Sequence, residues 1–341
     1  MVVARLILVV NAGSTSLKLS EVDETDGSRS LEHLEDASPD VAGVAHRIVH
    51  GGDRFLEPVL VDREVEQSLR QVSELAPLHN GAALEALEQA RRALPDVPHV
   101  AVFDTAFHAT LPPEARVDPV PERWREEWGI RRYGFHGLSV AWSAERVRAS
   151  RLVVCHLGGG CSVTSVLDGR SVGTSMGFSP LDGIPMATRS GSLDPEILLH
   201  VLRTRRVDVE SLERALERES GLLGLSGVSG RVDELEASPE PGARLALDVF
   251  ALRIACAVAA AAVPLGGIDA VVFTGGTGER SPRLRAAVCT RLRFLGVELD
   301  ERANDAAVGD ASVSASSAAV EVHVVHARED VVAARAARKL L

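Results

Sequence analysis

The sequence predicts an α/β fold built from two domains of similar architecture. The chain has 341 residues, which corresponds to two domains at roughly 150 residues per domain. Apolar strand-like segments alternate with segments that carry a helical stripe of apolar side chains, as is typical of α/β proteins. The pattern of Leu6–Asp23 returns at Arg151–Gly169, which indicates an internal repeat. We therefore expect one domain at residues 1–150 and a second at residues 151–341.

The first half opens with the pattern that defines this repeat. Leu6–Val10 is a continuous apolar run that predicts a buried strand, Asn11–Ser16 is a turn of small residues, and Leu17–Ser20 alternates as a second strand should. The other elements predicted in this half are strands at Val41–Val49 and His99–Phe103 and helices at Asn80–Leu94 and Glu122–Trp128.

The second half repeats the pattern and adds a third small-residue segment. The predicted strand Arg151–Cys155 is followed by the Gly-rich turn His156–Cys161 and the alternating strand Ser162–Leu167. A strand at Ala270–Phe273 runs into the Gly cluster Thr274–Gly278. The remaining predicted elements are helices at Asp194–Leu202, Val209–Glu219, Ala243–Val263, Pro282–Leu295 and Asp330–Leu341, a strand at Val320–Val325 and a loop at Ala311–Ala319.

Composition argues against several classes of protein. The 37 Lys and Arg against 48 Asp and Glu give a net charge of −11, which disfavours nucleic-acid and anionic-membrane surfaces. Aromatic residues make up only 4% of the chain, which disfavours base-stacking surfaces. The four cysteines show no CxxC spacing, and the apolar runs are too short to span a membrane. We expect a soluble cytoplasmic protein without nucleic-acid or membrane partners.

The three Gly-rich segments favour nucleotide binding. After a strand, a turn of Gly, Ser and Thr directs backbone N–H groups toward one point, where they can bind a phosphate. One such turn alone is more often a tight hairpin, but three of them, each after an apolar strand, favour a nucleotide. None has the Walker A spacing, and Gly276-Thr277-Gly278 lacks the third glycine of a dinucleotide fingerprint.

Four polar residues stand in contexts that suggest chemistry. Arg47 and Arg189 lie in Gly-bounded turns, and an Arg fork suits the paired oxygens of a carboxylate or phosphate. A solvated ion pair is the alternative for each of them, and it fits charged helical faces better than these turns. Asp104 ends an apolar strand, where ligands bind in open α/β sheets. For His136, between Phe135 and Gly137, a packing role and a functional role are equally consistent with the sequence.

Taken together, the motifs resemble the acetokinase family. The matching segments occur in the family's order along almost the whole chain: Asn11–Lys18, His46–Gly52, Ala76–Asn80, Val102–His108, Tyr133–Gly137, His156–Gly160, Thr174–Gly191, Ser220–Gly230 and Phe273–Ser281. The resemblance implies two ribonuclease H-like (actin-like ATPase) domains with mixed sheets and an interdomain cleft. It leaves open whether the C-terminal helix packs back on the first domain.

The resemblance also implies a reaction. Acetokinases reversibly transfer the γ-phosphoryl group of ATP to acetate with Mg²⁺, with Mn²⁺ as an alternative ion, and give acetyl phosphate and ADP. The resemblance further implies that the protein is a homodimer and that its substrates are small molecules. A carboxylic acid with a pKa near 4–5 is ionised at neutral pH, so the nucleophile needs no general base. Catalysis then consists of aligning two anions and neutralising charge on the transferred group.

The family pattern assigns roles to residues of this sequence. It implies that Arg47 binds the acyl carboxylate, that Arg189 and His136 stabilise the transferring phosphoryl group, and that Asp104 orients Arg47 or Mg²⁺ or accepts a proton. The implied acyl pocket is formed by Val49, Leu78, Phe135 and Pro180, and the implied metal residues are Asn11 and Glu329. The implied ATP-binding residues are Ser14, Ser16, Lys18, His156, Leu157, Gly158, Gly159, Gly160, Arg231, Val232, Asp233, Gly276, Thr277, Gly278, Glu279 and Arg280.

The chain also departs from the family pattern. Gly159 stands where acetate kinases usually have Asn, Arg231-Val232-Asp233 reverses the family's charge order, and Arg280 replaces an Asn. Arg328-Glu329-Asp330 aligns loosely, and we prefer Glu329 over Asp330 as the metal residue. Two alternatives therefore remain: a propionate or butyrate kinase of the same family, and a catalytically degenerate paralogue that only binds nucleotide.

Overall fold

Two mixed six-stranded sheets form the framework of the chain. The computed structural model describes residues 6–12, 17–72 and 77–341, without the side chains of residues 77–79. The strands are β1 (Leu6–Ala12), β2 (Leu17–Val22), β3 (Ser28–Leu31), β4 (Val41–Ile48), β5 (Val59–Leu60), β6 (His99–Phe103), β7 (Arg151–Leu157), β8 (Cys161–Leu167), β9 (Arg170–Thr174), β10 (Ala270–Thr274), β11 (Ala311–Ser312) and β12 (Glu321–Val324).

Helices cover these sheets or connect their strands. The α-helices are α1 (Arg63–Val72), α2 (Pro77–Ala93), α3 (Pro113–Arg116), α4 (Glu122–Trp128), α5 (Gly137–Arg146), α6 (Pro195–Thr204), α7 (Val209–Arg214), α8 (Gly221–Ser226), α9 (Val232–Ala237), α10 (Pro241–Leu265), α11 (Gly275–Arg280), α12 (Pro282–Arg291), α13 (Glu301–Ala306) and α14 (Glu329–Arg338). Short 3-10 turns lie at Leu34–Asp36, Ala106–Thr110 and Arg293–Leu295, and a π-helical turn extends α7 over Ala215–Glu219.

The two sheets have the same topology. The first has the order β3-β2-β1-β4-β6-β5, and the second, read from β9, has the order β9-β8-β7-β10-β12-β11. In each sheet the first two pairings are antiparallel, the next two are parallel and the last is antiparallel. The predicted fold class, two similar domains with mixed sheets, is therefore confirmed.

The chain divides into two compact units. The first comprises residues 1–109, 135–142 and 328–341, and the second comprises residues 110–134 and 143–327. Each unit contains one complete sheet, and α14 packs within the first unit against β1 and β4. The boundary expected near residue 150 stays a prediction.

The alternation of side chains along β1 and β4 determines which face of the first sheet carries polar groups. Leu8 and Val10 of β1 belong to one buried apolar cluster with Leu84 and Leu87 of α2. Because neighbouring residues of a strand point to opposite faces, Asn11 lies on the other face, which α14 covers. This face becomes polar at the carboxyl ends of the strands.

The long helix α10 packs on the second sheet. By length and composition it could cross a membrane, but it contacts β7, β8 and β9, and Phe250, Ile254 and Val258 are buried. These contacts agree with the prediction of a buried element. The helix runs one residue past Pro264, which lacks the backbone N–H for a hydrogen bond in this last turn.

The third Gly-rich segment differs from the prediction. Gly275–Arg280 is the short helix α11, whereas the sequence predicted a turn. The helix is possible because Gly275 adopts a φ of +77°, and a Cβ there would lie 2.8 Å from the Leu157 carbonyl oxygen. Ser281 then caps the N-terminus of α12, since its hydroxyl accepts a hydrogen bond from the Leu284 backbone N–H.

Candidate functional site

Three polar residues meet at the carboxyl ends of adjacent parallel strands in the first unit. Asn11 of β1 and Arg47 of β4 are paired in register. Asp104 directly follows β6, and its backbone N–H donates to the Ile48 carbonyl at the end of β4. Carboxyl ends of parallel strands are the usual place for ligands in α/β sheets. The strand order β1-β4-β6 is what brings these side chains together.

Arg47 is the centre of this cluster. Its Nε lies 3.2 and 3.1 Å from the two carboxylate oxygens of Asp104, and its Nη2 lies 2.5 Å from Oδ2. Its Nη1 donates to Oδ1 of Asn11 at 3.0 Å. The side chain of Asp104 is 1% exposed and that of Arg47 is 13% exposed. The pair is therefore shielded, but the guanidinium remains accessible to a small anion.

A fourth residue comes from the distant end of the chain. Glu329 is the first residue of α14, and its Oε2 lies 3.3 Å from Nδ2 of Asn11 and 4.0 Å from Nε of Arg47. The neighbouring Asp330 instead pairs with Arg328 at 3.1 Å. Glu329, and not Asp330, therefore belongs to the cluster.

The electrostatics of the cluster follow from its burial. Loss of water raises the pKa of Asp104, Arg47 opposes that rise, and Glu329 adds to it. Burial would lower the pKa of Arg47, but Asp104 and Glu329 together raise it above its usual value. Two carboxylates facing one guanidinium leave an excess of negative charge when both are ionised. A cation bound beside these residues would compensate this excess negative charge.

The oxygen donors are compatible with Mg²⁺. The described residues contain no group of three or more His, Cys, Asp or Glu that could hold a metal ion by itself. Mg²⁺ commonly takes only one or two carboxylates from the protein, and water and substrate phosphates complete its shell. Glu329, 18% exposed and next to the Asn11 amide, is a donor of this kind.

The segment that carries His136 is fixed on Asp104. The His136 backbone N–H donates to the Asp104 carboxylate, and Gly137 N–H donates to the Asp104 carbonyl at 3.0 Å. His136 has a φ of +60°, a left-handed conformation that is uncommon for residues other than glycine. A Cβ on Gly137 would lie 2.1 Å from the Asp104 carbonyl oxygen, so only glycine permits this close approach. The backbone of His136 is therefore part of the cluster.

His108, for which the sequence indicated no role, supports the same segment. Its Nε2 donates to the Phe135 carbonyl at 2.9 Å, and burial lowers its pKa to about 4. Because the folded state then binds fewer protons than the unfolded state, this group stabilises the fold above pH 6.5. That contribution, about 3 kcal/mol, is lost as the pH falls toward about 4.

We therefore expect His108→Gln to flatten the acid side of the stability curve. Chemical denaturation between pH 4 and pH 8 should show a smaller loss of unfolding free energy at low pH than the wild type. Part of the loss should remain, since burial also lowers the pKa of His46 and His99. Substitution of the exposed His200 by Gln should leave the curve unchanged. Parallel curves for His108→Gln and wild type would contradict the assignment.

The structure describes the side chains of three of the four predicted acyl-pocket residues, Val49, Phe135 and Pro180. Val49 and Phe135 are buried in the first unit, and the His50 ring meets Phe135 edge-on at 5.5 Å between centroids. Asn80, which the predictions missed as well, fixes His50 with two backbone hydrogen bonds of 3.0 and 2.9 Å. The Leu78 side chain lies outside the described residues.

Pro180 and Arg189 are brought together in the second unit. The Pro180 carbonyl oxygen lies 3.4 Å from Nη1 of Arg189. Burial lowers the pKa of Arg189, and Glu217 and Cys161 oppose that shift. Arg189 is thus a largely buried cation on a loop that is rich in glycine.

The second and third Gly-rich segments are adjacent in the second unit. β7 and β10 run parallel, and His156 is paired in register with Thr274. A Cβ on Gly158 would lie 4.0 Å from the Gly276 backbone nitrogen, so the two segments face one another. The Thr274 hydroxyl is buried and has no hydrogen-bond partner among the described residues. A polar atom of this kind is expected beside a ligand or ordered water.

The segments that depart from the family pattern have defined geometry. Arg231 is exposed and pairs with Asp233 at 2.5 Å and Glu234 at 2.8 Å. The Arg280 guanidinium folds back over Gly276, since a Cβ there would lie 2.8 Å from its Nη2. Lys18 is exposed, whereas Ser14 and Ser16 lie outside the described residues.

Glu279 links α11 to the segment before α14. Its Oε2 lies 2.6 Å from Nδ1 of His326, and its Oε1 accepts from the Ala327 N–H at 3.0 Å. The sequence offered no signal for this contact.

Comparison with known proteins identifies the same family as the sequence motifs. The sequence profile of the acetokinase family matches residues 29–335. The acetate kinase of Gloeobacter violaceus is 42% identical over 338 residues, which cover 96% of this chain and 83% of that protein. The acetate kinase of Trichormus variabilis is 43% identical over 298 residues, covering 84% of this chain and 73% of that protein.

Two solved structures share the fold over nearly the whole chain. The propionate kinase of Francisella tularensis has a TM-score of 0.90 and is 31% identical, with 97% of this chain and 98% of that chain covered. The acetate kinase of Porphyromonas gingivalis has a TM-score of 0.87 and is 29% identical, with 98% and 99% covered.

Proposed function

The chain belongs to the acetokinase family, and from this membership we infer that it reversibly transfers the γ-phosphoryl group of ATP to acetate, giving acetyl phosphate and ADP. It is a phosphotransferase whose acceptor is a carboxyl group. The observation that supports the assignment of its active site is the cluster of Arg47 with Asp104, Asn11 and Glu329 at the strand ends.

In this mechanism Arg47 binds the carboxylate of acetate. Asp104 holds the guanidinium by its Nε and one Nη, so its remaining N–H groups can face the substrate in a fixed direction. Acetate is already an anion at neutral pH, so the site needs no general base. Asp104 then acts as an orienting group, which agrees with its near-complete burial.

The phosphoryl group requires charge neutralisation. Arg189 and the His136 side chain stabilise the oxygens of the transferring group, and small backbone segments at His156–Gly160 and Gly276–Arg280 bind the nucleotide. Asn11 and Glu329 would hold Mg²⁺, whose oxygen preference their side chains match. The bound ion would neutralise phosphate charge and align the triphosphate.

Hydroxylamine trapping tests this function. Purified protein with ATP, MgCl₂ and acetate should form acetyl phosphate, which hydroxylamine converts to a coloured hydroxamate in the presence of iron(III). EDTA should abolish the signal, since it removes the metal. Absence of trapped product above background with acetate, propionate and butyrate would refute the phosphotransferase assignment for this chain.

Propionate is the second candidate substrate, because one solved structure of the same fold is a propionate kinase. Val49 and Phe135 are buried apolar residues of the first unit, but one methylene changes discrimination between acids by only about 1–3 kcal/mol. The ratio of kcat/KM for acetate, propionate and butyrate decides between the candidates. We expect acetate to have the highest value.

Gly159 offers a test of the nucleotide-binding segment. A Cβ at this position would meet no atom within 4 Å, so Gly159→Asn can be accommodated without strain. An Asn amide can donate to a phosphate oxygen, so we expect KM for ATP to fall about three- to tenfold with KM for acetate unchanged. Gly169→Asn, on an exposed turn, is the control. An unchanged or higher KM for ATP would show that this position does not face the phosphates.

We also propose that the protein is a cytoplasmic homodimer. In support, α10 presents an exposed apolar stripe that includes Leu245, Leu252 and Val263. Cys256 lies within this stripe, and it is the exposed one of the four cysteines. A short bis-maleimide should link two copies through Cys256 in dilute solution, and Cys256→Ser should prevent the link. Monomers by analytical ultracentrifugation at micromolar concentration would contradict the dimer.

A further inference from the structure

A buried arginine behind α11 has no role in the mechanism described above. Arg285 projects from α12 and is 1% exposed, which makes it one of the largest fully buried side chains in the protein. Arginine is rarely buried to this degree unless its donors are satisfied. Its position directly beneath the third Gly-rich segment therefore calls for a physical reason.

The guanidinium of Arg285 connects two elements. Its Nη1 donates to the carbonyl oxygens of Gly278 at 2.9 Å and Glu279 at 2.7 Å, both in α11. Its Nε and Nη2 donate to Oδ1 and the carbonyl oxygen of Asn304 in α13, at 2.7 and 2.8 Å. Asn304 is 2% exposed and is itself fixed through Nδ2 to the Pro282 carbonyl at 3.0 Å.

Arg285 does not act as one half of a salt bridge. All four of its hydrogen bonds go to amide or peptide oxygens, and it forms no ion pair with a carboxylate of the described residues. An arginine that contributed only charge attraction would not need four hydrogen bonds to oxygens of two elements. The side chain instead fixes the direction of two carbonyl groups at the end of α11.

The helix α11 needs such support. It has six residues, and three of them, Gly275, Gly276 and Gly278, are glycines. A helix this short and rich in glycine is not stable by itself, and its last carbonyl groups lack partners within the helix. A cation with several donors at the carboxyl end supplies partners and also complements the helix dipole.

We propose that Arg285 and Asn304 are positioning residues that hold Gly275–Arg280 in the conformation that binds the nucleotide. The inference rests on the proposed nucleotide role of Gly276–Arg280. Arg285 acts through the backbone of α11, so it should affect nucleotide affinity more than the acyl site. Asn304 orients the guanidinium and should have a smaller effect of the same kind.

Nucleotide affinity and substrate KM values test the proposal. We expect Arg285→Met to raise the Kd for ADP, measured by isothermal titration calorimetry, and the KM for ATP by about 10- to 100-fold. KM for acetate should stay within about twofold, Arg285→Lys should recover part of the affinity, and Asn304→Ala should weaken it less. Arg291→Met is the matched control, because Arg291 lies on the same helix but pairs with Asp248 at 3.6 Å.

Hydrogen exchange of the ligand-free protein supplies a readout that does not depend on the reaction. Amides of residues 276–281 should exchange faster in Arg285→Met than in wild type and in Arg291→Met. Unchanged exchange there overturns the proposal. An unchanged Kd for ADP in a variant that melts like wild type overturns it as well.

The same two measurements separate this inference from the proposed function. If wild-type protein does not bind ADP, the proposed function fails, while hydrogen exchange still decides whether Arg285 holds α11. Equal losses in the KM for ATP and for acetate would indicate a general structural role and overturn the inference alone. If Arg285→Met does not fold, nucleotide affinity and hydrogen exchange of Arg285→Lys and Asn304→Ala are compared with wild type instead.

Discussion

Replacement of Arg47 by leucine is expected to lower kcat/KM for acetate by at least about 10³-fold. The guanidinium is the cation that orients the acyl carboxylate, and removing one positioned donor to a reacting anion typically costs about 10²–10³ in rate. Loss of the binding charge adds to that effect. Steady-state kinetics with saturating ATP and Mg²⁺ measure this decrease in kcat/KM for acetate.

The same substitution should destabilise the protein by about 3–5 kcal/mol, because it leaves the Asp104 carboxylate buried without a cation. Urea denaturation measures this loss. Arg70→Leu, which removes the ion pairs of an exposed arginine with Glu66 and Glu88 in the same unit, should cost about 1 kcal/mol or less. A similar loss for both variants would contradict the assigned importance of the buried pair.

The pH dependence of the Arg47→Leu variant has a definite sign. With the cation gone, the pKa of Asp104 rises further above that of the unfolded chain, so the folded state binds more protons. Stability should therefore fall as the pH rises from the ordinary Asp value of about 3.9 through the raised folded value. Addition of Asp104→Asn should restore stability at neutral pH but not activity. Restored activity in the double variant would show that Arg47 has no catalytic role.

Replacement of Arg189 by alanine should lower kcat by about 10³-fold while the Kd for ADP changes less than about threefold. A cation that stabilises the transferring phosphoryl group acts mainly in the transition state, so its removal reduces kcat and kcat/KM together. Calorimetry with ADP and initial-rate kinetics separate the two effects.

This experiment also distinguishes an enzyme from a degenerate nucleotide-binding paralogue. Arg170→Ala, which changes an exposed arginine of the same unit, serves as the control and should match wild type. If wild type has no phosphotransfer activity and both variants bind ADP equally, the chain is a binding protein. An Arg189→Ala enzyme with an unchanged kcat would remove Arg189 from the proposed mechanism.

Three of the predicted site residues, Asn11, Arg47 and Asp104, lie together in the first unit, and their proposed roles stay predictions. Asn11 and Asp104 each directly follow an apolar run, and a strand's end can be read from neighbouring residues alone. Arg47 lies within strand β4, whereas the sequence placed it in a Gly-bounded turn. The repeated strand–turn–strand pattern predicted two domains of similar architecture, and the structure shows that their sheets share one topology. His108 stood inside a quoted motif, but only its bond to the Phe135 carbonyl revealed what it does.

Features that depend on distant residues could not be predicted in this way. The sequence favoured Glu329 over Asp330 as the metal residue only by a loose alignment, and the structure adds that Glu329 contacts Asn11 whereas Asp330 contacts Arg328. α11 was predicted as a turn because its glycines disfavour helix, and the buried donors that hold it belong to Arg285, in the next helix. The sequence alone contained no sign of the Asn304 contact.

The amino-acid sequence by itself determined the α/β class, the internal repeat, the family and the identity of the cations and carboxylates available for chemistry. These properties follow from local periodicity and from motifs whose residues are near neighbours in the chain. Only the tertiary structure decided that β1, β4 and β6 lie side by side, that Glu329 joins their ends and that Arg285 supports α11. Strand order and helix docking depend on burial and hydrogen bonding between residues far apart in sequence, which no local pattern encodes.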